Sequence, residues 1–275
     1  MMPHRFPITD DHIHIDPLNG RGIEAAKEFF RAGGTHLFLV SKPSWSFGIM
    51  PTCGDDYRRA FDATLAVAQE VRKVGPVVFP VLGVHPAEIT HFAEQRPPAE
   101  SARIMTEGLE VAAEYVREGR AVALKSGRPH YDAGEEVARL SNRVLARALV
   151  LAAREGCALQ IHAESGPCED VPDMARDAGM DPTRVVKHFA DPSTPLVPSL
   201  IARHEAIPGF ARTGRGFMLE SDYMDELARP GAVIGPRSVP RFSLRLLEQG
   251  AIDEEALARC HVDTPTRTYG VEIVL

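Results

Sequence analysis

Short apolar or β-branched runs alternate along the whole chain with longer stretches in which apolar residues recur every three to four positions. The short runs, at 8–15, 36–41, 77–83, 121–126, 157–162, 184–188, 196–202 and 217–221, are bounded by Gly, Pro or polar residues and predict eight β-strands. The longer ones, at 23–32, 57–74, 102–118 and 135–155, predict amphipathic helices, several closed by Gly, as at Glu155-Gly156. Such alternation builds a parallel sheet wrapped by its own crossover helices. Eight units in 275 residues predict an α/β fold, a single (β/α)8 TIM barrel over 1–275 in which 241–275 supplies closing helices and a tail. An open doubly wound sheet competes, but no GxGxxG or phosphate-binding loop follows any strand to mark its nucleotide crevice. The seventh strand is the least marked. The polar, Pro- and Gly-rich stretch 224–240 exceeds a usual connection and is a candidate active-site loop.

Composition changes the picture only at the margins. With 44% hydrophobic and 25% charged residues the chain can bury a sizeable core. It has no apolar run of the roughly 20 residues that span a bilayer, and its start, MMPHRFPITDDH, lacks the apolar stretch of a secretory signal, so a cytoplasmic protein with no membrane role is expected. The 31 basic and 38 acidic side chains give a net charge of -7, which disfavours general coating of nucleic acid. Cys53, Cys157, Cys168 and Cys260 form no CxxC pair and are expected as reduced, structural thiols. Homo-oligomerisation stays open.

Candidate chemistry gathers at the C-terminal ends of the strands, where barrel enzymes assemble their sites. The first strand ends in Asp10-Asp11-His12-Ile13-His14, and alternation puts His12 and His14 on one face, both inward. Either residue alone reads as a hydrogen-bonded core histidine. The fifth strand, however, ends at His162, the sixth at His188, and the eighth runs into Asp222. Four histidines and a carboxylate on one rim point to metal binding. His85 and His130 also follow strand ends beside Pro-stiffened turns and are candidate substrate contacts; for His130 a role in holding a ligand or packing a loop is equally open. Glu164 lies near the same rim or orients a ligand. Glu220 is expected to support rather than react, and His4, His36, His91, His204 and His261 are expected to be structural.

These residues carry a resemblance to the TatD-related metal-dependent hydrolases of the amidohydrolase-type barrels, over most of the chain. Asp10 to His14 resembles that family's opening DxHxH, Gly83-Val84-His85-Pro86 its G-hydrophobic-H-P, and Glu220-Ser221-Asp222 its E-T/S-D. Gly127-Arg128-Pro129-His130-Tyr131, the stretch from Asp222-Tyr223 to Gly235-Pro236, and Asp263-Thr264-Pro265 with Tyr269-Gly270 are similar to its archaeal branch. The resemblance implies a hydrolase with two divalent ions, His12, His14 and Asp222 on one, His162 and His188 on the other. Zinc suits these ligands; manganese, nickel and iron would also fit. It implies a metal-activated hydroxide as nucleophile, with Asp222 accepting its proton.

One position departs from the family, which carries Glu after strand four where this chain has Lys125. An ammonium beside two cations is repelled. Carbamylation by carbon dioxide would turn the amine into a bridging anion, as in phosphotriesterase-like relatives, and charge balance favours it. A one-metal site in which the ammonium fills the charge deficit is the second reading, and a Schiff-base lysine, which leaves the histidines without a role, the third. Arg128, Arg229 and Arg237 are expected near the mouth, where guanidinium forks fit carboxylate or phosphate, so the expected partner is a small anionic substrate bearing an ester, lactone, amide or phosphoester bond. A TatD-type deoxyribonuclease and a non-catalytic metal-binding protein are the alternatives; net charge and the lack of a basic and aromatic stripe do not favour nucleic acid.

Overall fold

The computed structural model describes residues 5–228 and 233–275. Its strands are β1 (Thr9–Ile13), β2 (His36–Val40), β3 (Val77–Gly83), β4 (Ala123–Gly127), β5 (Ala158–His162), β6 (Val185–Lys187), β7 (Val197–Ile201) and β8 (Met218–Glu220), all parallel and paired in chain order. Each falls on one of the expected runs, the seventh included. The ring closes just past β8, where Asp222 N donates to His12 O and His14 N to Tyr223 O, both at 2.9 Å. The expected (β/α)8 barrel is the observed architecture.

Helices α1 (Ile23–Arg31), α2 (Arg58–Arg72), α3 (Glu88–His91), α4 (Pro98–Arg117), α5 (Gly134–Glu155), α6 (Val171–Asp177) and α7 (Ile207–Ala211) connect the strands. Helices α8 (Ser238–Glu248), α9 (Glu254–Ala258) and α10 (Thr264–Tyr269) follow β8, α8 beginning within the stretch expected as a loop. The longest, α5, shows why these segments coil. Val137, Leu140, Val144, Leu145, Ala148, Leu149 and Ala152 recur every three or four residues and are all buried. Glu135 and Glu136 sit in its positive first turn, Arg154 in its negative last turn, and Gly156 ends it at φ 63°.

Inside the barrel the alternate side chains Phe38, Val81, Ala123, Ala158, Val186 and Met218 form an apolar layer. Tyr269 of α10 joins it, its ring 4.1 Å from that of Phe38. This layer fills the lumen and leaves chemistry to the C-terminal mouth. There the inward residues turn polar. A register slip in β1 between Asp10 and Ile13 is a bulge, a device that re-aims side chains beside sites. All four cysteines are free thiols, and no helix among the described residues is long and apolar enough to cross a membrane.

Candidate metal centre

The ends of β1, β4, β5, β6 and β8 bring the expected residues together. His12 Nε2 lies 3.2 Å from His14 Nε2 and 3.4 Å from Lys125 Nζ. Asp222 Oδ1 is 3.9 Å from His12 Nε2 and 4.0 Å from His14 Nε2. Ligand atoms of His12, His188 and Asp222 all lie within 4.8 Å of one another. His162 Nδ1 adds to the group at 2.8 Å from His188 Nε2, and the rings of His12 and His188 stack at 4.1 Å. Bonds of about 2.0–2.1 Å to a tetrahedral ion place neighbouring ligand atoms roughly 3.4 Å apart. The nitrogens of His12 and His14 are already near that spacing, so the donor set of imidazoles with Asp222 fits a divalent ion.

The far nitrogen of each imidazole is fixed, which decides where its proton sits. His14 Nδ1 donates to Val40 O at 2.8 Å. Gln160 donates its amide to Asp11 O and to Tyr269 Oη, so its Oε1 faces His12 and accepts from Nδ1 at 2.9 Å. Glu220 Oε1 accepts from Phe189 N at 2.7 Å and from His188 Nδ1 at 3.3 Å. The Nε2 lone pairs of His12, His14 and His188 are therefore bare and face the mouth, the tautomer a metal requires. Burial, with the Lys125 charge nearby, pushes His14 down to about 3 and His12 and His188 well below the usual imidazole range. Burial and the neighbouring His85 lower His162 as well. All four stay neutral at physiological pH, as metal ligands must.

Burial acts in the opposite sense on the acids, raising Asp222, Asp10 and Asp11 to about 7. It lowers Lys125, only 3% exposed, to about 7, although Asp222, Glu220 and Asp11 pull the other way. Acids and amine are crowded without solvent, an arrangement that bound cations would relieve by stabilising the carboxylates. Two glycines permit the crowding. A Cβ on Gly83 would fall 1.9 Å from Lys125 O, and one on Gly127 would fall 1.8 Å from His162 O.

The flanking residues divide. His130 Nδ1 lies 2.8 Å from His162 Nε2, and the His85 ring lies 4.8 Å from that of His162, so both reach the site. The arginines are not assembled over it. The fork of Arg128 is taken by Glu164, 3.0 Å from Nε, and Asp170, 2.6 Å from Nη1. Arg237 faces Glu28 at 3.6 Å, and Arg229 lies outside the described residues, as does His4. Two carboxylates occupy Arg128, whereas Glu28, the neighbour of Arg237, is already bonded to Arg21. Glu164 thus holds Arg128. His36 and His261 are structural, buried at the other end of the barrel, whereas His91 stacks on Trp45 at 4.2 Å, beside His85. Sequence reasoning passed over Gln160 and Trp45. Gln160 is two residues before His162 and so shares its inward face, a signal that alternation offered.

Residues 9–270 match the family described as TatD related DNase. An uncharacterised protein of Methanocaldococcus jannaschii is 33% identical over 283 aligned positions, spanning 98% of each chain. The TatD homologue YjjV of Escherichia coli superposes with a TM-score of 0.64 at 17% identity, covering 96% of this chain and 98% of its own. A mutant organophosphorus hydrolase from Deinococcus radiodurans gives 0.61 at 17% identity, covering 97% and 94%. At these identities the two structures speak for the fold alone.

Proposed function

Because the chain belongs to the TatD related DNase family of metal-dependent hydrolases, we propose that its barrel mouth holds two divalent ions, zinc by the softness of its ligands, and hydrolyses an ester, lactone, amide or phosphoester bond of a small substrate. One observation carries the reading: the Nε2 atoms of His12, His14 and His188 are bared by fixed partners on their Nδ1 atoms and converge with Asp222, His162 and Lys125. His12, His14 and Asp222 would hold one ion, and His162 and His188 the other. Bound metal would acidify a water and polarise the scissile group.

The chain's own residues do the rest. Asp222, whose carboxyl is raised to about 7 chiefly by burial, would take a proton and return it to a leaving group. Lys125 has no carboxylate within ion-pairing distance among the described residues, and burial keeps a share of its amine neutral. A neutral amine adds carbon dioxide, losing a proton and becoming a carbamate, the anion that two cations would stabilise. His130 can accept the proton that His162 would carry on Nε2 once Nδ1 is a ligand. His85 lines the same space and is the candidate substrate contact. With Arg128 held by Glu164 and Asp170, negative charge on a substrate would be met chiefly by the metals.

The family's description supports a second reading, cleavage of DNA. The experiment is one preparation assayed on p-nitrophenyl esters, bis(p-nitrophenyl) phosphate and an oligonucleotide, before chelation, after it, and after zinc is restored. The expected result is chelator-sensitive, zinc-restored turnover of a small substrate, faster than strand cleavage. Faster strand cleavage would favour the nuclease. Zinc binding with no turnover of any substrate would leave a metal-binding protein.

A further inference from the structure

The residue after His188 is unusual. Phe189 has φ 49°, a left-handed conformation costly for an aromatic residue, and its ring is 50% exposed. Its backbone is held there because Phe189 N donates to Glu220 Oε1, the same oxygen that holds His188 Nδ1. The carboxylate that orients a candidate ligand thus also holds the backbone of the exposed Phe189 beside it. That ring borders a cleft of about 440 Å³ between the ends of β6 and β7, lined by Phe189, Ala190, Ile201, Arg203, His204 and Glu205. Its two charges are of opposite sign, and the rest of its wall is largely apolar.

Other exposed apolar side chains ring the same mouth. Leu18, Met50, Tyr131 and Leu227 lie on the loops after β1, β2, β4 and β8. Single exposed apolar residues need no explanation, but a collar of them on separate loops around one opening does. Among the described residues, several cations of these loops are held by carboxylates. Lys42 pairs with Asp16 at 2.8 Å and Glu226 at 3.3 Å, Arg21 with Glu28, and Arg128 with Glu164 and Asp170. An apolar group would find surface to cover there.

We infer that the Phe189 cleft is a subsite for an apolar substituent of an ester or lactone substrate. The inference rests on the hydrolase reading and narrows it. Water adds to the acyl carbon, the acyl C–O bond breaks, and the alkoxide takes the proton, giving a carboxylic acid and an alcohol.

The test compares zinc-loaded wild type, Phe189→Asn and Phe189→Tyr on p-nitrophenyl acetate and hexanoate. Asn tolerates the left-handed backbone and removes the ring; Tyr keeps the ring. Wild type should prefer hexanoate about tenfold or more in kcat/KM. Phe189→Asn should erase that preference, mainly through KM, and Phe189→Tyr should keep it. Equal kcat/KM for the two esters in wild type, or an unchanged ratio in Phe189→Asn, would overturn the subsite. Ligand-observed NMR with hexanamide separates the two readings. If neither ester turns over, a hexanamide signal present with wild type and lost with Phe189→Asn keeps the subsite while the hydrolase reading falls. Equal signals from both proteins overturn the subsite.

Discussion

Three side chains test the chemistry singly. Asp222→Asn keeps a coordinating oxygen but cannot take a proton, so turnover should fall by about two to four orders of magnitude while metal content and thermal midpoint change little; near-normal kcat would remove Asp222 from proton transfer. Gln160→Met keeps the bulk of the side chain and deletes the acceptor that holds His12 Nδ1. Zinc affinity should drop about 10- to 100-fold in competition with a chromogenic chelator. Unchanged affinity would show that the His12 tautomer needs no help. Lys125→Ala should lose metal and activity together, and short carboxylic acids should partly restore both by standing in for the carbamate; full activity without additive would contradict a bridging role. The histidines of the candidate metal site were legible in the sequence because strand ends and alternation place them on one rim. Gln160 was harder to see, since a glutamine inside a strand has no signature until its amide is found bonded to Asp11 O and Tyr269 Oη.

At the level of elements, the eight strands were readable because each is an apolar run between turn residues, and even β7 keeps that form in Val197–Ile201. How the tail closes the barrel was not readable, because it depends on contacts across most of the chain. The segment after α9 brings His261 under β1. There Thr9 N donates to His261 Nδ1 at 3.0 Å, and His261 Nε2 donates to Ser243 Oγ of α8 at 2.8 Å. Burial holds this imidazole down at about 4, against 6.5 when unfolded. The unfolded chain therefore binds the extra proton first, and the stabilising contribution, complete above pH 6.5, is lost as pH falls through 6.5 towards 4. Between pH 7 and pH 5 wild type should lose about 2 kcal/mol more stability than His261→Gln, measured from urea midpoints. The metal-site groups are common to both proteins and cancel in that difference. Equal losses would mean His261 is not held neutral. The arginines show the limit of placement by element. Arg128 lies on the expected rim, but whether a guanidinium is free depends on Glu164 and Asp170, which come from the next loop and helix start.

For the molecule as a whole, the barrel separates stability from chemistry. The apolar layer capped by Tyr269 fills the lower lumen, and neutral imidazoles, a buried amine and raised carboxylates crowd the upper end. The non-glycine residues with positive φ among those described, Cys168, Phe189, Asp222 and Asp225, all lie on loops at that end. Strain and buried charge sit together where function is expected. The barrel was legible because its period is written in every unit, whereas the substrate was not, because loop contacts decide which charges remain free. If these residues hold a two-ion hydrolytic centre, zinc must set the rate. The most direct measurement follows hydrolysis of a p-nitrophenyl ester while chelator-stripped protein is titrated with zinc in bicarbonate buffer. The account predicts a rate near zero without metal, rising to a break at about two equivalents per chain, because the ligands exceed what one tetrahedral ion uses. A rate indifferent to zinc, or a break at one equivalent, would contradict it.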